Sequence, residues 1–417
     1  SYSYDSRAPW CQYLVKNAII EEGITNIGDH AFVDCESLKN IKISDTVTSI
    51  GFVAFERCGS LENIVLPDSV ASIDRMAFRE CSSLKNIKIP DKVTRIELGT
   101  FYKSSGLENI ILPDAVTTIG AWAFYGCSSL KSIKIPKGVT QIKSETFIYC
   151  SSLRSIEIPN TVTEIGKKAF YECNSLESIK IPEAVTRIET ETFSGCNGLK
   201  SIIIPNTVTE IEEKTFYGCS SLESIVLPDG VTSIEKETFN GCSSLKSITI
   251  PNTVTEIKEK AFYGCNSLED IKIPKTVTNI GRYTFYRCSS IENIEIPEAT
   301  TDIENGIFSE CSGLKSIMIP NTVTKIGDNA FYGCSSLRDI TIPNAVTEIQ
   351  GSAFRGCSSI ENIEIPDAIT NIRDYTFADC SSLKNIKLPN TLVIIGEDVF
   401  RKCSSIESIE IPETVTG

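Results

Sequence analysis

The chain has 417 residues, of which 41% are hydrophobic and 23% are charged, and its formal net charge at pH 7 is −14. This composition excludes disordered and fibrous proteins, and the negative charge disfavours nucleic acid and anionic membranes as partners. No stretch approaches the ~18 consecutive apolar residues of a membrane-spanning helix. The single histidine, His30, leaves little scope for general acid–base catalysis.

Sixteen of the 17 cysteines follow one spacing. They recur every 23 residues from Cys35 to Cys403, and Ser104 occupies the one position where a cysteine is skipped. A fixed period in the range of about 20–50 residues is typical of a solenoid or a propeller. The length therefore indicates one repeat array rather than two or three globular domains.

The repeat divides the chain into four parts. Residues 1–11 are expected to form an N-terminal cap in which Trp10 shields the first core layer. A degenerate repeat at 12–34, sixteen full repeats at 35–402 and a partial repeat at 403–417 follow. The last repeat stops before its core is complete, and terminal repeats normally carry polar caps. We therefore expect the natural chain to continue beyond residue 417.

We number the cysteine of each repeat as position 1. The sequence of each repeat predicts two short strands. Positions 6–9 alternate polar and β-branched residues, which indicates a strand with one buried face. Proline at position 10 ends that strand because it has no amide hydrogen to donate. The Val-Thr-x-Ile motif at positions 13–16 predicts a second strand. Positions 17–23 lack alternation, and we interpret them as a short helical or 3₁₀ turn.

Identical positions of successive repeats are expected to stack. A single repeat cannot bury its own apolar side, whereas stacked repeats can. Positions 1, 4, 7, 9, 13, 16 and 21 would form the core, and position 21 is phenylalanine from Phe32 to Phe400. The predicted fold is a β-rich solenoid with short parallel strands. Its coil is expected to be right-handed, because parallel crossovers nearly always are.

The cysteines leave three alternatives open. A row of free cysteines packed as small apolar residues fits the period and the tolerated Ser104. Some disulfides are compatible with the distance between neighbouring repeats, and Cys11, which is out of phase, could be tied to the cap. A metal site is disfavoured, because the chain has no Cys-x-x-Cys pair and one histidine.

The pattern L-x-x-I-x-I-P-x-x-V-x-x-I-x-x-x-A/T-F-x-x-C resembles the BspA-like leucine-rich-repeat family, over residues 12–417. The resemblance implies an α/β leucine-rich-repeat solenoid. It also implies a cell-surface or secreted, adhesin-like protein that binds host or microbial proteins, although this chain carries no signal peptide. It implies no catalytic residue, metal or cofactor, because the motif consists of core positions. Ser44 in place of proline and Thr300 in place of valine depart from the pattern.

The best candidates for partner binding are apolar residues at position 8. This position lies between two buried isoleucines, so its side chain points outward, on the expected concave face. Apolar side chains on such a face indicate an interaction site, and strand propensity alone is the alternative explanation. The candidates are Val65, Ile111, Ile203, Val226 and Met318.

Aromatic side chains outside the core are weaker candidates for binding. Tyrosine recurs at position 22, where covering the phenylalanine of the neighbouring repeat is the alternative role. Trp122 is the only tryptophan at position 19. The charges at position 5 alternate in sign and predict ion pairs between neighbouring repeats. The aromatic candidates are Trp122, Tyr171, Tyr217 and Tyr263.

Two functions remain from the sequence. The first is a non-enzymatic protein-interaction module whose partners are proteins, such as host matrix or microbial surface proteins. The second is a structural spacer that presents a functional domain absent from this chain. Catalysis is disfavoured, because no Ser/His/Asp set, glycine-rich phosphate loop or metal-ligand spacing is present.

Overall fold

The computed structural model describes residues 8–12 and 14–416. By its contacts the chain forms two compact units, Ser1–Val208 and Thr209–Gly417, and both are built from the same 23-residue coil. Most coils have a first strand near positions 6–8 and a second strand at positions 15–16. The coil that begins at Cys58 has an isolated bridge between Asn63 and Asn86 in place of its first strand. The described part contains one helix, a 3₁₀ helix at Pro9–Gln12.

The strands are two to four residues long and are numbered in chain order. In the unit Ser1–Val208 they are β1 Asn17–Ile20, β2 Asn26–Ile27, β3 Asn40–Ile43, β4 Ser49–Ile50, β5 Ser72–Ile73, β6 Asn86–Lys88, β7 Arg95–Ile96, β8 Asn109–Ile111, β9 Thr118–Ile119, β10 Ser132–Lys134, β11 Gln141–Ile142, β12 Ser155–Glu157, β13 Glu164–Ile165, β14 Ser178–Lys180, β15 Arg187–Ile188 and β16 Ser201–Ile203. In the unit Thr209–Gly417 they are β17 Glu210–Ile211, β18 Ser224–Val226, β19 Ser233–Ile234, β20 Ser247–Thr249, β21 Glu256–Ile257, β22 Asp270–Ile271, β23 Asn279–Ile280, β24 Asn293–Glu295, β25 Asp302–Ile303, β26 Ser316–Met318, β27 Lys325–Ile326, β28 Asp339–Thr341, β29 Glu348–Ile349, β30 Asn362–Glu364, β31 Asn371–Ile372, β32 Asn385–Lys387 and β33 Ile394–Ile395.

The strands pair in parallel with the residue 23 positions along the chain. In β10 and β12, for example, Ile133 lies opposite Ile156 and Lys134 opposite Glu157. Most first strands show the burial order exposed, buried, exposed, as the alternation of the sequence predicts. After the proline the chain turns tightly, and the amide of Val139 donates to the carbonyl oxygen of Pro136 at 3.0 Å. Parallel pairing of identical positions confirms the predicted solenoid.

The prediction of helical turns at positions 17–23 is wrong. In the coil that begins at Cys35, Val53 and Arg57 have φ angles of 48° and 57°, and most described coils have left-handed residues at these two positions. The amide of Phe55 donates to Ala77 of the next coil at 2.8 Å, whereas the amide of Glu56 donates back to Val53 at 3.1 Å. Alternate amides thus bond between coils, and the i to i−4 pattern of an α-helix does not form.

The core of each unit contains a stack of phenylalanine rings from position 21. Phe124 and Phe147 have centroids 5.4 Å apart and planes 3° apart, and Phe262 and Phe285 have centroids 5.6 Å apart. These rings are fully buried. Replacing one buried phenylalanine by alanine typically costs about 3–5 kcal/mol, so the row of rings is a major part of the stability of each unit.

The cysteine row has a hydrogen-bonding role that the sequence interpretation did not include. The Sγ of Cys150 donates to the carbonyl oxygen of Phe124 at 3.1 Å, and this carbonyl also accepts the amide of Cys127. Ser104 makes the equivalent bond, from its Oγ to the carbonyl oxygen of Phe78 at 2.6 Å. Position 1 therefore needs a small hydrogen-bond donor, and serine supplies one where cysteine is absent.

One disulfide is present among the described residues, between Cys11 and Cys35. It joins the 3₁₀ helix to the first cysteine of the row, and the other fifteen cysteines are free. The indole Nε1 of Trp10 donates to the carbonyl oxygen of Ala31 at 3.0 Å. The Trp10 ring lies 5.9 Å from the ring of Phe32, which is the first phenylalanine of the stack. Residues 1–7 of the predicted cap lie outside the described residues.

Replacing Cys150 by serine and replacing it by alanine should have different effects on the free energy of unfolding. We expect Cys150→Ala to lower the free energy of unfolding by about 1–2 kcal/mol, because the Phe124 carbonyl loses one of its two partners. Cys150→Ser should cost less, because the hydroxyl can make the bond seen at Ser104. Urea unfolding of the two variants shows which of them has the lower free energy of unfolding. A serine variant less stable than the alanine variant would mean that position 1 is only an apolar site.

The buried thiols predict a loss of stability at alkaline pH. Burial raises the pKa of Cys81 to about 12 from its ordinary value of 9.0, and it also raises the pKa of Cys127 and Cys150. Above pH 9 the unfolded chain releases thiol protons that the folded chain keeps, so the free energy of unfolding falls as pH rises. The slope approaches about 1.4 kcal/mol per pH unit for each such thiol.

The measurement is urea unfolding at pH 7–11 without oxygen, for the native chain and for a variant in which Cys127, Cys150 and Cys173 are serine. The variant should lose stability less steeply above pH 9, by up to about 4 kcal/mol per pH unit. Titration of tyrosine and lysine is common to both proteins and cancels in the difference. Parallel curves would contradict the assignment.

Candidate functional site

The first strands present a row of outward side chains at position 8. Positions 7 and 9 point into the core, so in β6 Ile87 is buried and Lys88 is exposed. All five predicted residues of this row are exposed. Their exposed fractions are 80% for Val65, 62% for Ile111, 62% for Ile203, 67% for Val226 and 75% for Met318.

In the unit Ser1–Val208, the structure brings two of these residues close together. Val65 and Ile111 lie on either side of Lys88, and the three line one depression together with Asn63 and Asp68. Lys88 is the register partner of Ile111. Lys88 therefore separates the two apolar side chains along the row.

The other three candidates lie apart from that depression. Ile203 is the register partner of Lys180. Val226 lies opposite Thr249. Met318 lies between Glu295 and Thr341. Met318 is thus a single apolar residue between polar neighbours, whereas Ile203 and Val226 occupy position 8 of two consecutive coils.

Ile19 belongs to the same row and was missed by the sequence interpretation. It lies in β1 opposite Lys42, and its exposed fraction is 68%. The signal was available, because the degenerate first repeat keeps its isoleucines in phase with the later repeats. Counting eight residues from position 12 gives Ile19.

Several of the predicted ion pairs at position 5 are present and flank this row. Lys131 lies 2.6 Å from Glu108, Lys315 lies 2.7 Å from Glu292, and Lys384 pairs with Glu361 in the same way. The hydrogen bond from Lys131 lowers the pKa of Glu108. Exposed pairs of this kind contribute little to stability, so they act mainly on charge and register.

Asparagine side chains form a second flank at position 6. The Nδ2 of Asn109 donates to the Oδ1 of Asn86 at 2.9 Å, and Asn385 donates to Asn362 at 2.7 Å. Each amide group in such a row offers further hydrogen-bonding capacity to solvent or to a partner. The strand face therefore combines an outward row at position 8 with polar groups beside it.

The aromatic candidates of the unit Ser1–Val208 lie on the turn side of the coils. Trp122 is 38% exposed, and its Nε1 donates to Glu145 at 3.0 Å. Tyr171 meets Tyr149 edge to face at 5.9 Å. Tyr149 is at position 23 and was not predicted. Its ring also meets Tyr125 at 5.7 Å, so these tyrosines contact one another in a row.

In the unit Thr209–Gly417, Tyr217 is 42% exposed and Tyr263 stacks on Tyr286 with a centroid distance of 4.5 Å. The hydroxyl of Tyr286 donates to the Oε1 of Glu310 at 2.7 Å. Arg287 lies over the Tyr286 ring and pairs with Glu310 at 2.6 Å. Burial, followed by the bond to Glu310, raises the pKa of Tyr286 to about 12. The hydroxyl group and the ring face of Tyr286 are therefore already in contact with Glu310 and Arg287.

A network of charged side chains surrounds the buried carboxylate of Glu56 near the N-terminus. Glu56 is fully buried, and its carboxylate accepts a hydrogen bond from Arg79 at 2.8 Å. Arg57 links Asp34 and Glu80, each at 3.2 Å. Every member of the network has a charged partner, which is the condition for keeping such charges out of water.

The described residues contain no group of three or more His, Cys, Asp or Glu side chains arranged to hold a metal ion. His30 lies edge-on to Phe52 at 5.4 Å. None of the helices in residues 8–12 and 14–416 has the length and hydropathy to cross a membrane.

Comparison with known proteins gives matches along nearly the whole chain. The family model "BspA type Leucine rich repeat region (6 copies)" matches residues 10–131, 94–223, 209–334 and 301–417. No curated protein matches the sequence.

Solved structures of bacterial repeat proteins also match. A leucine-rich repeat protein from Bacteroides ovatus is 29% identical with a TM-score of 0.55, over 95% of this chain and 90% of that one. A leucine rich cell surface protein from Faecalibacterium prausnitzii is 27% identical with a TM-score of 0.42, over 89% of this chain and 87% of that one. Repeat proteins of this kind are typically protein-interaction modules rather than enzymes. The repeat pattern, the parallel coils and the family match together establish that this chain belongs to the BspA-type leucine-rich-repeat family.

Proposed function

We propose that this chain is a non-enzymatic protein-interaction module that is secreted or displayed at the cell surface and binds host or microbial proteins through its strand face. The observation that carries the proposal is the set of five apolar side chains at position 8, which are 62–80% exposed although they have no role in the core. Exposed apolar side chains on a repeat surface are typical of an interaction site.

The form of the strand face favours a protein partner over a small molecule. The depression around Val65, Lys88 and Ile111 lies on an open strand face, and polar groups surround it. Small-molecule sites enclose most of the ligand surface, whereas protein interfaces cover wide, gently shaped faces. Repeating coils supply such a face without special loops.

The disulfide supports a location outside the cytosol. Disulfides persist in oxidising compartments and are rare where thiols are kept reduced. Cys11 and Cys35 form a bond, whereas the buried cysteines keep their thiols in hydrogen bonds to backbone carbonyls. Burial raises the pKa of these thiols and protects them from oxidation in such a compartment.

A variant without the five apolar side chains should lose affinity for the natural partner. We expect replacement of Val65, Ile111, Ile203, Val226 and Met318 by threonine to weaken binding at least tenfold, which corresponds to about 1.4 kcal/mol. Threonine already occupies position 8 in β20 and β28, so it preserves strand propensity. Surface binding to purified matrix proteins and bacterial surface proteins, with serum albumin as the negative probe, gives the measurement.

The control variant removes exposed apolar side chains elsewhere, which are less exposed than the five candidates. Val393, Ile394 and Ile411 are 40–56% exposed and lie outside position 8. Their replacement by threonine should leave binding unchanged. Equal binding by the five-site variant and the native chain would contradict the strand face as the binding surface. A chain that binds no probe, while a longer natural form does bind, would favour a structural spacer.

A further inference from the structure

Position 8 alternates between apolar residues and lysine over the first six coils. No later stretch of the described chain continues this strict alternation, because glutamate replaces the apolar residue at 157. The six residues, which we call the alternating row, are Ile19, Lys42, Val65, Lys88, Ile111 and Lys134.

The register of the strands sets the spacing of the alternating row. Ile19 lies opposite Lys42, and Lys88 lies opposite Ile111. Neighbouring parallel strands are roughly 4.8 Å apart, so apolar side chains two coils apart are separated by about 9.6 Å. The three lysines repeat with the same period, displaced by one coil.

Within the described part of the chain, the lysines of this row make no ion pair with a carboxylate, a property that they share with other exposed lysines such as Lys39, Lys85 and Lys272. Lys42, Lys88 and Lys134 are exposed, and within the described residues none has a carboxylate oxygen within 4.0 Å. By contrast, Lys387 at position 8 of a later coil pairs with Glu364.

Lys134 lies opposite Glu157 of β12, whereas Lys42 and Lys88 lie opposite the apolar residues Ile19 and Ile111. Ammonium groups that alternate with apolar side chains match a ligand that is both acidic and apolar.

We propose that the alternating row is a docking site for an extended polypeptide in the polyproline II conformation, with an apolar side chain at every third residue and a carboxylate between them. This proposal rests on the proposed protein-binding function and names the class of segment bound. Polyproline II has three residues per turn and rises 3.1 Å per residue, so equivalent side chains repeat about every 9.3 Å. Over three successive apolar contacts, the spacing of the ligand side chains would then differ from that of the row by only about 0.6 Å.

Other backbone conformations fit this spacing less well. On one face of a β-strand, side chains repeat about every 6.7 Å, and the next multiple is about 13 Å. Two turns of an α-helix span about 10.8 Å. Over three contacts, the side chains of a helix would therefore depart from the spacing of the row by about 2.4 Å. Only the three-residue period keeps each apolar side chain over its own rung.

The neighbouring groups restrict the chemistry of the ligand further. Isoleucine and valine lack the aromatic faces on which sugar rings and bases stack, which favours aliphatic side chains over a glycan. An exposed aspartate occupies position 11 of four successive coils, and Asp68 lines the depression, so a continuous run of acidic residues would be repelled. The row therefore matches one carboxylate per three residues. The four aspartates are Asp45, Asp68, Asp91 and Asp114.

Three synthetic probes of twelve residues test the proposal with the full chain. The first contains four Leu-Pro-Glu units and matches the period and the charge. The second contains three Leu-Pro-Glu-Pro units, whose period is about 12.4 Å. The third contains four Leu-Pro-Lys units, which reverse the charge. Calorimetry with each probe gives the affinity at low and at high salt.

We expect the first probe to bind, with affinity that falls as salt rises, and the other two to bind at least tenfold more weakly. Replacing Val65 and Ile111 by threonine should weaken the first probe at least tenfold, whereas the control variant with Val393 and Ile394 as threonine should bind like the native chain. Thermal unfolding of each variant excludes a loss of fold.

Several results would overturn the proposal. These are no binding of the first probe at millimolar concentration, equal binding of the second or third probe, or no effect of the threonine substitutions at Val65 and Ile111. Stronger binding of an acidic polysaccharide, unchanged in those variants, would assign the lysines to a glycan. If the probes fail while the five-site variant still loses its protein partner, the docking proposal fails and the protein-binding function stands.

Discussion

The structure of this chain depends on the backbone hydrogen bonds that pass from each coil to the next. Within the turn at positions 17–23, every second amide donates to the following coil, as Phe55 does to Ala77. These bonds fix the offset between coils at 23 residues. Because the offset equals the period of the sequence, each side chain meets its own equivalent, which produces the phenylalanine stack and the cysteine row. A change in period by one residue would place phenylalanine beside the polar neighbours of the next coil.

The regular core could be predicted from the sequence because it follows from this stacking. Alternation at positions 6–9 and the prolines that follow were sufficient to place the first strands and their buried isoleucines. The turn could not be predicted in the same way. Val53 has a φ of 48°, a conformation that is rare for a β-branched residue. Its amide donates to the carbonyl oxygen of Arg75 in the next coil, and the residues at positions 17–23 carry no sign of such bonds.

The same limit applies to the cysteines and the binding surface. Ser104 indicated a small residue at position 1, but only the distance to the Phe78 carbonyl identifies a donor. The bond between Cys11 and Cys35 depends on the path of the first residues, which lies outside the repeat. The outward direction of position 8 was predictable from alternation. Which outward residues become neighbours required the register, as the depression around Lys88 illustrates.

Regularity complicates the inference of function. The segment PNTVTEI recurs at intervals of 46 residues, from Pro159, Pro205 and Pro251, which indicates duplication of a two-repeat module, and such duplication copies surface residues together with the core. History alone therefore explains why lysine and an apolar residue alternate along the first six coils. The same alternation places apolar residues opposite Lys42 and Lys88, which accounts for the absence of ion pairs there. The position-5 rows of the same coils contain glutamate and form ion pairs such as Lys131 with Glu108. A pairing carboxylate at position 8 would be equally compatible with the strand, as Glu364 beside Lys387 demonstrates. Beside Lys42 and Lys88 the alternating row keeps isoleucine or valine instead, and an apolar neighbour leaves both the ammonium group and the aliphatic surface open to a partner.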